Sequence, residues 1–352
     1  MNVLSLYDGI SCGMVAMERA GIDVDKYSAY EIDKYAVAIS LKNYPQIEHF
    51  GNVLKGNFKQ FKGYDLLIGG SPCTYWSIAK NNRETTCDGM GFKLFMGYVK
   101  ALEESGCRYF LYENNDSIHQ NIKNEISRWL GVQPIMINSA LVSAQQRKRC
   151  YWTNIPNVTQ PADKGVLIED IIESGLPVRY NRNDGVISAK DKAMTVLASD
   201  WKGLNRNQTQ NAVAEPVILQ REHGFNKGGT KRWKSPTVTA SVGFPFNNLV
   251  AVPVRVGQLG KGGQAQRIYS VHGKAVSLQA NSGGQGGKTG LYKIDLPDGN
   301  YIIRKLTPIE AERLQTLPDN YTAGISDTQR YKCIGNGWTI DVIAHILKGL
   351  RT

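Results

Sequence analysis

Two residues of this 352-residue chain stand where chemistry would need them. Cys73 closes the run Gly69-Gly70-Ser71-Pro72-Cys73, and Glu113 opens the run Glu113-Asn114-Asn115. A thiol on the turn after an apolar strand, followed by a polar loop reaching to Gly91, is placed for nucleophilic attack. A carboxyl group beside it can be kept protonated by burial and can donate a hydrogen bond to a ring nitrogen. Taken singly neither signal means much, because most cysteines are small buried hydrophobes. Together they answer one chemical problem. C5 of cytosine is not nucleophilic until a group adds at C6 and N3 is protonated or hydrogen-bonded, and a thiol and an acid supply those two functions. A base stacked in a duplex is out of reach, so an enzyme working this way must flip it out.

Such groups need a scaffold that gathers strand ends, and residues 1–157 have its rhythm. Stretches 3–7, 27–30, 65–70 and 109–112 read as short strands, with helical patterning over 13–20 and 34–41. This alternation predicts a doubly wound, mainly parallel α/β sheet, which binds ligands beyond the carboxyl ends of its strands. Gly9, Glu31, Cys73 and Glu113 all fall at such ends. In Leu6-Tyr7-Asp8-Gly9-Ile10-Ser11-Cys12-Gly13, glycine lets the turn approach a ligand closely, and the helix behind it offers free N–H groups. Glu31 could accept hydrogen bonds from ribose hydroxyls, as in dinucleotide folds. Each has an ordinary structural reading if taken alone, a turn glycine and a helix-capping acid. Toward the C-terminus Thr307-Pro308 marks a helix start, and a last amphipathic helix begins near Thr339.

Composition narrows the class. The six cysteines form no CxxC pair and have no clustered histidines. That argues against a structural zinc and against a disulfide scaffold, so no metal is expected and a reducing cytoplasm is the natural setting. No apolar run approaches the roughly 20 residues of a membrane span, and the N-terminus lacks the pattern of a signal peptide. The net charge of +11 is informative once located: 16 of the 42 Lys+Arg but only 5 of the 31 Asp+Glu lie between Gly175 and Tyr292, leaving 26 of each elsewhere. The same segment carries 17 of the 36 glycines. A basic excess confined to one stretch suggests a polyanion-binding module set into a neutral body. Within it Lys192-Ala-Met-Thr195, Lys234-Ser-Pro-Thr237 and Lys274-Ala-Val-Ser277 repeat at intervals of 42 and 40 residues. These units either present side chains to DNA or form the strands of a small β-domain.

In order and spacing these patterns resemble the DNA (cytosine-5) methyltransferases of compact bacterial or phage type, the N-terminal half being similar to the mammalian de novo enzymes. The match spans residues 3–157 and 304–349. The resemblance implies S-adenosylmethionine as cofactor, with Tyr7 stacking on the adenine side, Gly9 approaching closely and Glu31 on the ribose. Asn52 would take the adenine amino group, where an aspartate is frequent in the family. It also implies Pro72-Cys73 as the nucleophile motif and Glu113 as the acid, with Asn115 in place of the family's valine. Arg147 and Arg149 in Gln145-Gln146-Arg147-Lys148-Arg149 would support the target cytosine and the catalytic loop. Arg304 to Gln315 matches the penultimate motif, and Gly335-Asn336-Gly337 matches the last, with Asn336 returning to the cofactor pocket.

The expected architecture is therefore a class I S-adenosylmethionine-dependent methyltransferase body, residues 1–165 and 303–352, with an inserted β-rich target-recognition domain at 166–302. Lys231, Arg232, Lys234 and Lys288 are the expected phosphate contacts. The expected partner of a monomer is double-stranded DNA, with a restriction endonuclease as a possible companion. Methylation of cytosine in RNA and a non-catalytic DNA-binding homologue are the rival readings. The large glycine-rich insert favours DNA over RNA, and retention of both Cys73 and Glu113 favours an enzyme.

Overall fold

The computed structural model describes residues 1–77, 82–173, 178–181, 186–189, 210–212, 253–258, 266–278, 290–295 and 301–351. Its centre is a seven-stranded sheet of β1 (Asn2–Leu6), β2 (Lys26–Tyr30), β3 (Glu48–His49), β4 (Leu66–Gly69), β5 (Tyr109–Asn115), β6 (Ile135–Asn138) and β7 (Lys148–Thr153). The spatial order is β3-β2-β1-β4-β5-β7-β6. Strands β1 to β5 pair in parallel, whereas β7 runs antiparallel to both β5 and β6.

Side chains alternate across a strand, so a sheet covered on both sides needs apolar residues at nearly every position. Val3, Leu66, Ile68, Leu111 and Tyr151 face one core, with α1 (Cys12–Ala20), α2 (Lys34–Asn43) and the late helix α7 (Ile340–Leu347). Leu4, Leu6, Leu67, Phe110, Tyr112 and Trp152 face the other, with α3 (Met90–Ser105) and α4 (Gln120–Leu130). The C-terminal helix α7 thus completes a layer begun by α1, while α5 (Pro308–Leu314) packs on α6 (Asp327–Asn336), which also meets α2. The Thr307-Pro308 start closes as a capping box: Thr307 accepts from Glu310 N, and Glu310 accepts from Thr307 N.

Two differences in boundary from the sequence reading bear on the site. Tyr7 leaves β1, because it turns into the left-handed region at φ 58°. Strand β5 runs on through Glu113 to Asn115, three residues past its last pairing with β4, because β7 pairs with it there.

The remaining strands form two small sheets. One is β10-β8-β9, built from β8 (Val178–Asn181), β9 (Val186–Ala189) and β10 (Gln210–Ala212). The other is β11-β12-β13-β14, from β11 (Arg255–Gln258), β12 (Arg267–Ser270), β13 (Leu291–Asp295) and β14 (Tyr301–Arg304). A third core joins Ile168, Tyr269, Val271, Leu278 and Tyr292 to Leu306, Leu314 and Ile334. The third repeat unit enters this core, and there the idea of a DNA-facing lysine fails. Lys274 is fully buried and donates to the carbonyls of Ser143 and Val166. It neutralises orphan carbonyls at a seam, which is scaffold work. The first two units lie outside the described residues.

Candidate active site

The site forms where the carboxyl ends of β1, β2, β4 and β5 meet. At the first of these, Asp8 is partly buried and accepts from Ser5 Oγ (2.6 Å), Ser11 Oγ (2.6 Å) and Tyr27 OH (2.7 Å). Burial raises its pKa above the ordinary carboxylate value, against the lowering effect of those three hydroxyls. This knot fixes the loop that carries Tyr7 and Gly9. Tyr7 donates from its hydroxyl to Leu94 O at 2.7 Å, which sets the ring against α3, and burial raises its pKa. Gly9 has φ +63°, and no atom lies within 4 Å of where a Cβ would stand. That is an open cradle of backbone.

Glu31 closes the cradle. Its Oε2 accepts from Gly9 N (2.8 Å), and its Oε1 accepts from Ile32 N (2.7 Å) and Asp33 N (2.8 Å). Burial raises its pKa, opposed by these N–H donors. Oε2 keeps a lone pair for a further donor such as a sugar hydroxyl. Beside it Ile32 is 74% exposed, and Leu54 and Phe50 also show apolar surface to solvent. Asn52 is exposed, and its Oδ1 accepts from Leu54 N at 2.9 Å as the cap of a short turn. One lone pair of that oxygen therefore remains for an adenine amino group. These features fit a nucleoside bearing two ribose hydroxyls.

At the second pair of strand ends, glycine decides the geometry. A Cβ on Gly70 would stand 2.8 Å from Glu113 O and 3.0 Å from Glu113 Oε2, so only glycine lets β4 leave the sheet this close to β5. Pro72 is exposed and starts the tight turn Cys73–Tyr75, in which Cys73 is partly exposed. The turn is pinned from β5: Asn114 Nδ2 donates to Ser71 O (3.0 Å), and Ser71 Oγ meets Tyr112 OH (2.7 Å). Successive residues of β5 thus divide the labour. Asn114 holds the thiol's turn, while Glu113 points to the opposite face.

Glu113 is partly buried and both its oxygens have partners. Arg149 Nε lies 3.0 Å from Oε1, and Trp338 Nε1 donates to Oε2 at 2.9 Å. Arg147 is buried with backbone carbonyls as partners: Nη1 donates to Leu278 O (3.3 Å), and Nη2 to Gly335 O (3.2 Å) and Gly337 O (3.1 Å). Burial, then the neighbouring charge of Arg149, pushes its pKa down to about 10. Arg147 therefore ties β7 to the last motif and to the end of the third repeat, while Arg149 alone reaches the acid. Asn336 is exposed at the end of α6, and a Cβ on Gly337 would lie 3.1 Å from Cys12 Sγ. Tyr321 OH donates to Ile10 O (2.7 Å), and Lys332 Nζ pairs with Asp33 (2.7 Å). By these bonds the C-terminal segment returns to the first loop and to the turn after Glu31.

The family model for C-5 cytosine-specific DNA methylases matches residues 1–352. The chain belongs to that family. Among its relatives is the orphan methyltransferase M.SPRI of Bacillus phage SPR, 25% identical over 99% of this chain and 97% of that protein. The type II methyltransferase M.HhaI of Haemophilus parahaemolyticus is 26% identical over 98% and 93%. Two solved structures share the fold. The Entamoeba histolytica methyltransferase EhMeth has TM-score 0.63 and 15% identity over 99% of this chain and 97% of that one. The S. pombe Dnmt2 methyltransferase has TM-score 0.54 and 14% identity over both whole chains. The family is S-adenosylmethionine-dependent, and the Gly9–Glu31 cradle has the donor and acceptor set that this cofactor's nucleoside needs.

Two residues of this methylase site escaped the sequence reading: Asp8 and Trp338. Asp8 carried a signal, since an acid inside a glycine turn, with serines three residues to either side, is built for local hydrogen bonds. Trp338 carried none. Lys231, Arg232, Lys234 and Lys288 lie outside the described residues. Among those residues no His/Cys/Asp/Glu group could hold a metal, and no helix is long and apolar enough to cross a membrane.

Proposed function

We propose that this methylase acts on double-stranded DNA, with Cys73 adding to C6 of a flipped-out cytosine and Glu113 serving its N3 edge. The observation that supports the reading is the close passage of Gly70, three residues before Cys73, against the backbone and carboxyl group of Glu113. Attack by the thiolate forms the C6–S bond and pushes the ring's electron pair toward C5. Glu113 stabilises that charge by a proton or hydrogen bond at N3, and Arg149 and Trp338 aim it. S-adenosylmethionine, when bound, supplies an electrophilic methyl group. Once C5 carries the methyl group, loss of its proton to solvent re-forms the 5,6 double bond and expels the Cys73 thiolate. Tyr7, Gly9, Glu31 and Asn52 hold the nucleoside end of the cofactor. Asn336 borders that pocket, and Pro72 sets the entry to the nucleophile's turn.

Residues 1–165 and 303–352 make the catalytic body in this reading, and 166–302 reads DNA. Lys231, Arg232, Lys234 and Lys288 bind phosphates, a reading supported by the local excess of positive charge. The test is to give the purified protein duplex DNA or transfer RNA with cofactor and to sequence the products at single-base resolution. The expected product is 5-methylcytosine at one sequence context in DNA. Modification of the RNA alone would overturn the assignment.

A further inference from the structure

Asn115, the last residue of β5, is only 6% exposed, and its Oδ1 is buried without a donor. Its backbone N–H is engaged with Asn114 Oδ1 at 2.9 Å, so the amide oxygen is what stands unpaired. Leaving a buried acceptor unpaired is unfavourable, and a valine at this position would avoid it. The surroundings suggest a use. Asn115 is directly opposite Arg149 in the β5–β7 register, and opposed side chains share one face of a sheet. Glu113, two residues back, lies on that face too. Arg149 Nε forms an ion pair with Glu113 Oε1 at 3.0 Å while Nη1 donates to Lys148 O (2.8 Å), and a guanidinium carries further N–H groups.

Both oxygens of Glu113 are held by the chain's own side chains, Oε1 by the ion pair with Arg149 and Oε2 by the hydrogen bond from Trp338. To meet a base, Glu113 must release one of them. If Arg149 let go with no other acceptor, a cationic N–H would be stranded in a largely buried place.

We propose that Asn115 is a positioning residue: its Oδ1 receives the Arg149 guanidinium when Glu113 turns from the ion pair to the cytosine. Asn115 acts through Arg149 and touches no substrate. No covalent bond is made or broken, and the guanidinium exchanges its carboxylate partner for an amide oxygen. The inference rests on the proposed role of Glu113.

The test compares Asn115→Val, which removes the acceptor, with Asn115→Thr, which restores an oxygen on another β-branched side chain. Asn115→Val is expected to lower kcat about tenfold, the scale of one lost hydrogen bond to a charged group. KM for DNA and cofactor affinity should stay at wild-type values, and Asn115→Thr should recover most of the rate. In an Arg149→Lys background, where the fork is gone, adding Asn115→Val should cost little more. Wild-type kcat in Asn115→Val would overturn the assignment, as would an equal loss in both backgrounds that Thr does not rescue. Should Asn115→Val fail to fold, Asn115→Ala against Asn115→Ser makes the same comparison. Glu113→Gln measured alongside separates the two readings. If it turns over like wild type, the role of Glu113 fails. If it is inactive while Asn115→Val is unaffected, only the Asn115 assignment fails.

Discussion

Two carboxylates face the working edge of the sheet, and they are held in opposite ways. Glu31 is satisfied by backbone N–H groups, two of them from the residues that follow it. Glu113 is satisfied by side chains from distant elements, Arg149 on β7 and Trp338 between α6 and α7. The proposed cofactor side is thus a local turn that forms wherever β1 and β2 pair. The base side exists only when the whole body has folded, including its C-terminal return. A fixed backbone cage suits a group that only binds. Side-chain donors that can let go suit a group that must change partners during a reaction.

The sharpest way to break this comparison is Glu113→Gln. The amide keeps the shape, loses the charge that holds Arg149 and cannot deliver a proton. Turnover should fall on the order of 100-fold or more, the usual cost of losing a general acid. Cofactor affinity by calorimetry should barely move. Equal losses in both would make Glu113 a structural residue like Glu31.

Glu31→Ala should show the reverse pattern. Three N–H donors lose their acceptor, each bond being worth about 1 kcal/mol. Cofactor binding should weaken roughly 10- to 100-fold with some loss of thermal stability, while kcat at saturating cofactor stays near wild type. A lowered kcat at saturation would mean that the two regions are not separable.

Neutralising Lys231, Arg232 and Lys234 together should leave the chemistry at both acids untouched. It should weaken DNA binding at every sequence and flatten the log–log salt dependence by about 0.9 per lost phosphate contact. A salt titration of binding checks this. An unchanged slope would remove these three residues from the DNA interface.

The same contrast explains what could be read from the sequence. Local rules worked: strand periodicity located β1, β2, β4 and β5, and Thr307-Pro308 located α5. The motifs placed Gly9, Glu31, Cys73 and Glu113 on adjacent strands, and the topology brings them to one edge. Long-range partnerships stayed hidden. Trp338 meets Glu113 across 225 residues, and nothing in the local pattern of either residue announces the other. The extension of β5 to Asn115 depends on antiparallel pairing with β7, which a reading of β5 alone does not contain. Lys274 looked like a basic contact because its composition is that of its neighbours. Its burial follows from the carbonyls of Ser143 and Val166, which tertiary contact puts beside it.

The central claim is that Cys73 bonds covalently to the base. DNA bearing 5-fluorocytosine in the methylated context tests it directly. Fluorine cannot leave C5 as the proton does, so the enzyme should halt as a protein–DNA adduct that survives denaturation, with Cys73 identified as the linked residue by mass spectrometry. Cys73→Ser should form no adduct and lose turnover on the order of 10⁴-fold or more, as loss of a nucleophile does in other enzymes. Cys12→Ser, which alters a buried thiol beside Gly337, should still form it. A Cys73→Ser protein that turned over like wild type, or an adduct linked through another residue, would contradict the account.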